Sequence, residues 1–288
     1  MSAFFDSMSD PHWRLILDEA APGAWNMAVD EALLDYVAAA TAPPTLRFYG
    51  WRPPCLSLGY FQRFEDVDTG ACRAMGIDVV RRPTGGRAVL HEAELTYSIM
   101  LPVSVLGQDA GILPSYYRIS RALQAALAAL GIGTSLAPGS AAPSVHQQGP
   151  LCFDGPSAHE ILLKGRKLVG SAQMRRADAI LQHGSILIES RPERLAACFR
   201  TRDDASGRLR RLDSSAIGLA EVGFNDRAQL AHAIAKAIEE EFEMAYLAGR
   251  LSASEVQAAL GLHRSKYASA AWTERRLQQL AAKTTRTR

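Results

Sequence analysis

No stretch of this 288-residue sequence approaches the roughly 20 consecutive apolar residues needed to cross a bilayer, so a soluble chain without a membrane partner is expected. Paired cysteines are also missing. Cys55, Cys72, Cys152 and Cys198 stand far apart with no CxxC spacing. That argues against a zinc knot or a disulfide framework, leaves no metal site to expect, and means each thiol is judged singly. Nor is there a strong excess of one charge. Lys and Arg number 32 against 30 Asp and Glu, a net +2 that is too small to suggest nucleic acid. Local clusters at Arg81, Arg82, Arg87, Arg175, Arg176, Arg208, Arg210 and Arg211 either meet an acidic partner or form a solvated face. The opening MSAFFDSMSDPHW has acids, no basic n-region and no apolar h-region, so a secretory signal is not expected and the chain is read as cytoplasmic. No internal repeat is present.

The residues that are present, 48% hydrophobic and 22% charged, are those of an ordinary globular protein with one large α/β domain or two small ones. In NMAVDEALLDYVAAA, Val29, Leu33, Leu34 and Val37 recur at helical spacing ahead of Pro43 and Pro44, predicting a first amphipathic helix. TLRFYGW and CLSLGY read as strands separated by RPP, followed by a helix near residues 65 to 75. IDVVRR, AVLH and ELTYSIML are extended and form the centre of a sheet, with PTGGR as the turn between the first two. YYRISRALQAALAALGI carries Ile119, Leu123, Leu127 and Leu130 on one stripe, a long helix to pack on that sheet. After a polar loop from about Pro138 to Gly149, HEILLK and KLVGSAQ flank a tight turn containing Gly165 and Arg166, and AILQHGSILIE is a further strand. DRAQLAHAIAKAIEEEFEMAYL and SASEVQAALGL are amphipathic helices, and AAKTTRTR is expected to be a disordered tail.

Three features carry chemistry. Thr84-Gly85-Gly86, flanked by Arg82 and Arg87, lets backbone approach a ligand closely while the arginines meet a phosphate or carboxylate; alone, it reads first as a glycine turn in a hairpin. Cys152 follows the polar loop, and the bend at Gly155 and Pro156 would present its thiol in a cleft; a lone cysteine is otherwise a small buried hydrophobe, the reading given to Cys55, Cys72 and Cys198. Lys167 precedes the small-residue run Leu168-Val169-Gly170-Ser171-Ala172 and is either partly buried against a ligand or a solvated hairpin lysine.

Four segments in order, RRPTGGRAVLHEAELTYS (81–98), CFDGPSAHE (152–160), GRKLVGSAQ (165–173) and LQHGSIL (181–187), resemble the lipoate-protein ligase and octanoyltransferase superfamily, which shares its fold with biotin ligases. The resemblance runs from about Trp13 to Leu247. It implies an α/β fold with a mixed sheet, a catalytic domain over 13–250, and a C-terminal helix with a basic, disordered tail over 251–288. CFDGPS is similar to the LipM type of octanoyltransferase, in which this cysteine carries the acyl group. The resemblance therefore implies catalytic roles for Cys152 and Lys167, with Arg82, Thr84, Gly85, Gly86, Arg87 and His91 bordering the acyl pocket and Gly170, Ser171 and Ala172 opposite. His183 matches a motif too, as a site residue or as a hydrogen-bonded structural histidine. His91 could equally end its strand as an exposed imidazole.

The implied reaction takes octanoyl from octanoyl-acyl carrier protein onto Cys152, then to the target lysine of a lipoyl domain or glycine cleavage H protein, with no cofactor because a thioester is already activated. A thiol of pKa ~8.5 is only a few per cent thiolate at pH 7, so a nearby cation or base has to activate it. Lys167 is the family's candidate. The rivals are an ATP-dependent lipoate-protein ligase in which Cys152 is incidental, an octanoyl amidotransferase between lipoyl carrier proteins, and a non-catalytic module that docks carrier domains on its basic clusters. The absence of a GxxxxGK[ST] phosphate loop does not separate these, because the ligases lack it as well.

Overall fold

The computed structural model describes residues 12–107, 111–137, 160–200, 209 and 214–275. Its centre is a six-stranded mixed sheet. β1 (Trp13–Leu17), β2 (Thr45–Tyr49), β6 (Glu94–Pro102), β10 (Val169–Arg176), β11 (Ala179–Leu187) and β12 (Tyr246–Ala248) lie in the order β10-β11-β6-β2-β1-β12. β1 runs parallel to both β2 and β12; the remaining pairs are antiparallel. Beside it are two three-stranded sheets. One joins β4 (Asp78–Arg81), β3 (Cys55–Leu58) and β5 (Val89–His91); the other joins β7 (Ser135–Leu136), β8 (Ile161–Leu163) and β9 (Arg166–Lys167).

Strand alternation decides what each face of the large sheet meets. Leu46, Phe48, Leu95, Ile99, Ile180 and Ile186 form one core with α3 (Ile112–Ala129) and α5 (Arg227–Phe242), through Ile119, Leu123, Leu127, Leu230, Ile234 and Ile238. The stripe read from the sequence is therefore the face that α3 buries. On the opposite face, Ile16, Met100 and Leu181 meet Val29, Leu33, Leu34 and Val37 of α1 (Gly23–Ala38). A further helix, α6 (Ala253–Leu262), covers α1 from outside with Ala259, so α1 is enclosed on both sides. The helix is the one read from the sequence, but its polar residues Asn26, Asp30 and Glu31 are buried as well.

Two local boundaries also differ. The stretch read as one helix through Leu247 stops at Phe242, because Glu243 takes the left-handed conformation (φ 54°) and turns the chain into edge strand β12. The turn before Lys167 is Lys164-Gly165, with φ of 52° and 75°, closing the β8–β9 hairpin. Two successive positive φ values match the right-handed twist of the flanking strands. KLVGSAQ does not pair with HEILLK beyond that hairpin, since β10 joins β11 in the large sheet. Among the described residues, no helix is long and apolar enough to cross a membrane.

Candidate active site

The Thr84-Gly85-Gly86 loop links β4 to β5 and is held from below by backbone. A Cβ on Gly59 would stand 1.9 Å from the Gly86 carbonyl oxygen, so only glycine lets these segments touch. Gly86 has φ 85°, whereas Gly85 faces open space. Arg82 is buried and braces this loop. Its Nη2 donates to the carbonyls of Gly85 and Arg87, both at 2.8 Å; Nε donates to Thr84 Oγ1 at 3.2 Å, and Nη1 to the Ser57 carbonyl and hydroxyl at 3.1 Å. A guanidinium spent this way shapes the loop. Arg87, half-buried, stands at its end.

From this loop a buried polar chain crosses to the large sheet. Thr84 Oγ1 lies 2.7 Å from His183 Nε2, and His183 Nδ1 lies 3.2 Å from Asp30 Oδ2 on α1. Asp30 also accepts from Arg47 Nη1 at 2.8 Å, Tyr49 OH at 2.9 Å and Ser98 Oγ at 2.9 Å. Burial alone would raise the Asp30 pKa, but the His183 hydrogen bond and the Arg47 charge outweigh it and hold the carboxyl below its ordinary range. His183 is thus both a hydrogen-bonded histidine and a neighbour of the glycine loop.

His91 is buried, not exposed: Ser57 Oγ lies 2.8 Å from Nε2, Glu94 Oε1 lies 2.9 Å from Nδ1, and the ring stacks on Trp51 at 3.9 Å between centroids. Burial lowers its pKa despite Glu94. Through Ser57, it shares a network with Arg82.

β10 divides the small residues expected opposite the loop. Gly170 and Ala172 pair with Ser185 and His183. Ser171 pairs with Gly184 and turns to the other face, where its hydroxyl lies 2.8 Å from Tyr97 OH. A Cβ on Gly184 would approach Ser171 Oγ and Tyr97 Cε1 to 2.5 Å, which explains the glycine in HGS. Burial pushes Tyr97 up to about 12, so it remains a hydroxyl at neutral pH.

Lys167 is 2% exposed and forms an ion pair with Glu160, itself 5% exposed. A buried ammonium needs a compensating charge, and this pair supplies it. The solvated-lysine reading therefore fails. Glu160 closes the segment CFDGPSAHE, so its signal was present; Asp30 and Arg47 carried none beyond two charges in apolar runs. Cys152 lies outside the described residues. Cys55, Cys72 and Cys198 are buried free thiols, as read. Arg81 and Arg82 are buried too, which removes them from any docking face, and the half-buried Arg176 pairs with Glu31 and Asp35. No group of three His, Cys, Asp or Glu among the described residues is placed to hold a metal ion.

The architecture is that of lipoate-protein ligases. A lipoate-protein ligase A solved with ATP superposes with a TM-score of 0.76 at 23% identity, over 91% of this chain and 98% of that one. A bi-partite lipoate protein ligase from Thermoplasma acidophilum gives 0.76 at 22% identity, over 91% and 96%. In sequence, residues 22–242 match the lipoyl protein ligase A/B catalytic domain. Octanoyltransferase LipM of Carboxydothermus hydrogenoformans is 38% identical over 276 residues, 90% of this chain and 97% of its own length. That of Kyrpidia tusciae is 41% identical over 276 residues, 92% and 99%. The chain belongs to the lipoyl protein ligase A/B catalytic-domain family, and within it is an acyltransferase.

Proposed function

We propose that this enzyme transfers octanoyl from octanoyl-acyl carrier protein, through a thioester on Cys152, to the target lysine of a lipoyl domain or glycine cleavage H protein. The full-length likeness to proteins named octanoyltransferase supports the acyl group and the reaction. The observation that carries the chemistry is Lys167, a buried ammonium matched to Glu160 at the edge of the small-residue strand.

In this reading the Cys152 thiolate adds to the carrier thioester, the carrier thiol departs, and the acceptor lysine amine then displaces Cys152 to give an amide. A cation near Cys152 favours thiolate over thiol, the role assigned to Lys167. Once neutral, the same amine accepts a proton from the incoming lysine. His183, Thr84, Gly85, Gly86, Arg87 and His91 border the acyl group, with Gly170 and Ala172 across from them. Arg82 shapes the loop, and Ser171 acts through Tyr97. The cytoplasm, where acyl carrier and lipoyl proteins meet, is the proposed location.

The test is intact-protein mass after incubation with octanoyl-acyl carrier protein and no ATP, native chain against Cys152→Ala. The expected result is a hydroxylamine-labile octanoyl adduct, absent from the variant and discharged onto a lipoyl domain. Product that requires ATP and survives in Cys152→Ala would replace this reading with an ATP-dependent ligase.

A further inference from the structure

Ser185 is 1% exposed, and its hydroxyl oxygen, cut off from water, has no hydrogen-bond partner among the described residues. Buried hydroxyls in folded proteins are nearly always bonded, so an orphan one calls for a reason. Its place on β11 suggests the reason. Side chains alternate along a strand, which puts Ser185 on the face of His183, two residues earlier, and away from Gly184. On that face, His183 holds the Thr84 loop. The flanking partners of Ser185 are Gly170 on β10 and Thr96 on β6. Gly170 has no side chain to offer a partner. The Thr96 hydroxyl is already committed, accepting from Trp51 Nε1 at 2.8 Å and donating to Glu94 Oε1 at 3.2 Å, and Trp51 in turn stacks on His91. Ser185 is therefore a preformed donor beside a glycine, on the face that carries His183 and within one strand of the Trp51–His91 pair.

We propose that Ser185 is a catalytic hydrogen-bond donor whose O–H binds the carbonyl oxygen of the acyl thioester; this rests on the octanoyl-transfer reading. As the attacking thiolate forms its bond to the carbonyl carbon, the π pair moves onto oxygen. Ser185 stabilises that oxyanion while keeping its own proton. When the pair returns, the bond to the departing carrier sulfur breaks and its thiolate takes the proton of the Lys167 ammonium, leaving that amine neutral. In the second half, the lysine amine adds to the same carbon and regenerates the same oxyanion; the cysteine leaves as its thiolate, and the proton lost from nitrogen ends on the Lys167 amine. One donor serves both additions. Shielded from water, a single hydrogen bond to developing charge has its greatest effect.

The experiment compares native chain, Ser185→Ala and Ser185→Thr in octanoyl transfer from octanoyl-acyl carrier protein to a lipoyl domain, with thermal midpoints alongside. Loss of one oxyanion donor typically lowers kcat by about 10²-fold or more. The expected result is a loss of that order in Ser185→Ala with KM for the carrier nearly unchanged, a midpoint no lower than native, and recovery in Ser185→Thr. The unlowered midpoint follows because alanine removes an unsatisfied polar atom. Alanine activity within about twofold of native, or a loss matched by a lowered midpoint, would overturn the assignment and leave Ser185 a structural, water-holding residue. Absence of transfer by the native chain would instead remove the octanoyl-transfer reading, and the Ser185 assignment with it.

Discussion

Thr84 Oγ1 stands 2.7 Å from His183 Nε2, and this contact fastens the glycine loop to the central sheet. Arg82 Nε donates to the same hydroxyl at 3.2 Å, and the other ring nitrogen of His183, Nδ1, faces Asp30 Oδ2 at 3.2 Å. Thr84→Val preserves shape and removes the hydroxyl. We expect a stability loss of about 1–3 kcal/mol, the cost of an unsatisfied buried group, and transfer reduced by roughly tenfold or more. Thr84→Ser should retain most of both. ¹⁵N spectra of His183 give the check: Thr84→Val should move the Nε2 resonance far more than that of Nδ1, and an unchanged Nε2 shift would refute the contact.

Asp30 makes a second prediction, in pH. Its carboxyl is held below its ordinary value of 3.8, so the folded state binds the proton less readily than the unfolded state does. Stability from this group is then fully present above that value and drains away as the pH falls through the lower folded pKa. Asp30→Asn leaves the buried Arg47 guanidinium with its charge only partly compensated by Asp18. The expected cost near neutrality is about 3–5 kcal/mol, as for breaking a buried pair. Urea unfolding from about pH 7 to about pH 3 should show native and variant converging at the acid end. A constant gap would mean that Asp30 is not the charged member of the pair.

The elements themselves were legible where the period was clean. Ile119, Leu123 and Leu127 announce α3, and Leu95, Tyr97 and Ile99 do the same for β6, because each set must cover one core. What could not be read was which strands pair. TLRFY and CLSL are neighbours in sequence yet enter different sheets, and β12 hides in the apolar spacing that continues past Phe242. The site was legible to the extent that its motifs were: Thr84, His91, Lys167 and His183 were all marked. Of their partners, Asp30 and Arg47 come from distant segments, whereas Glu94 and Glu160 stand close in sequence to His91 and Lys167, inside or at the end of the quoted motifs; even there, a charge buried in an ion pair looks in sequence like any surface charge.

Thiol chemistry gives a prediction independent of turnover. Burial pushes the Cys55 thiol up, and a hydrogen bond with Cys72 together with burial pushes Cys198 up; all three side chains are enclosed. Reactivity follows thiolate fraction and access; the hydrogen bond with Cys198 draws the Cys72 thiol down, but its burial closes it to reagent, so all three should resist an aromatic disulfide reagent in the native state. We expect at most one thiol to react rapidly in native protein, Cys152, and all four to react after denaturation. Cys152→Ala should then show no rapid phase. A rapid phase that persists in this variant would mean that one of the enclosed thiols is reached.

The last prediction concerns residues beyond the matched catalytic domain. α6 is tied to β1 by Arg14, which donates to both carboxylate oxygens of Glu255 at 2.9 and 2.6 Å, and its Ala259 lies in the α1 core. Farther on, Trp272 Nε1 donates to the Arg81 carbonyl at 2.9 Å, while Arg81 donates to the Thr273 carbonyl at 2.8 Å and to those of Gly59 and Gln62 at 2.9 and 2.7 Å. Burial and the neighbouring Arg275 charge pull Arg81 down to about 10, still charged at neutral pH. Since Gly59 lies against Gly86, the Arg81 guanidinium links this C-terminal segment to the glycine loop, and Arg275 Nη2 adds a second link by donating to the carbonyl of Tyr60, whose N–H donates to the Thr84 carbonyl. A chain ended at Arg250 would expose the outer side of α1 and leave Arg81 buried with fewer acceptors. We expect it to be insoluble or to melt well below the full chain. In the full chain, Trp272→Ala should lose about 1–3 kcal/mol, a few degrees in thermal midpoint for a domain of this size, with a larger KM for the acyl donor as the loop loosens. Native melting and transfer by the shortened chain would instead make residues 251–275 a separable appendage.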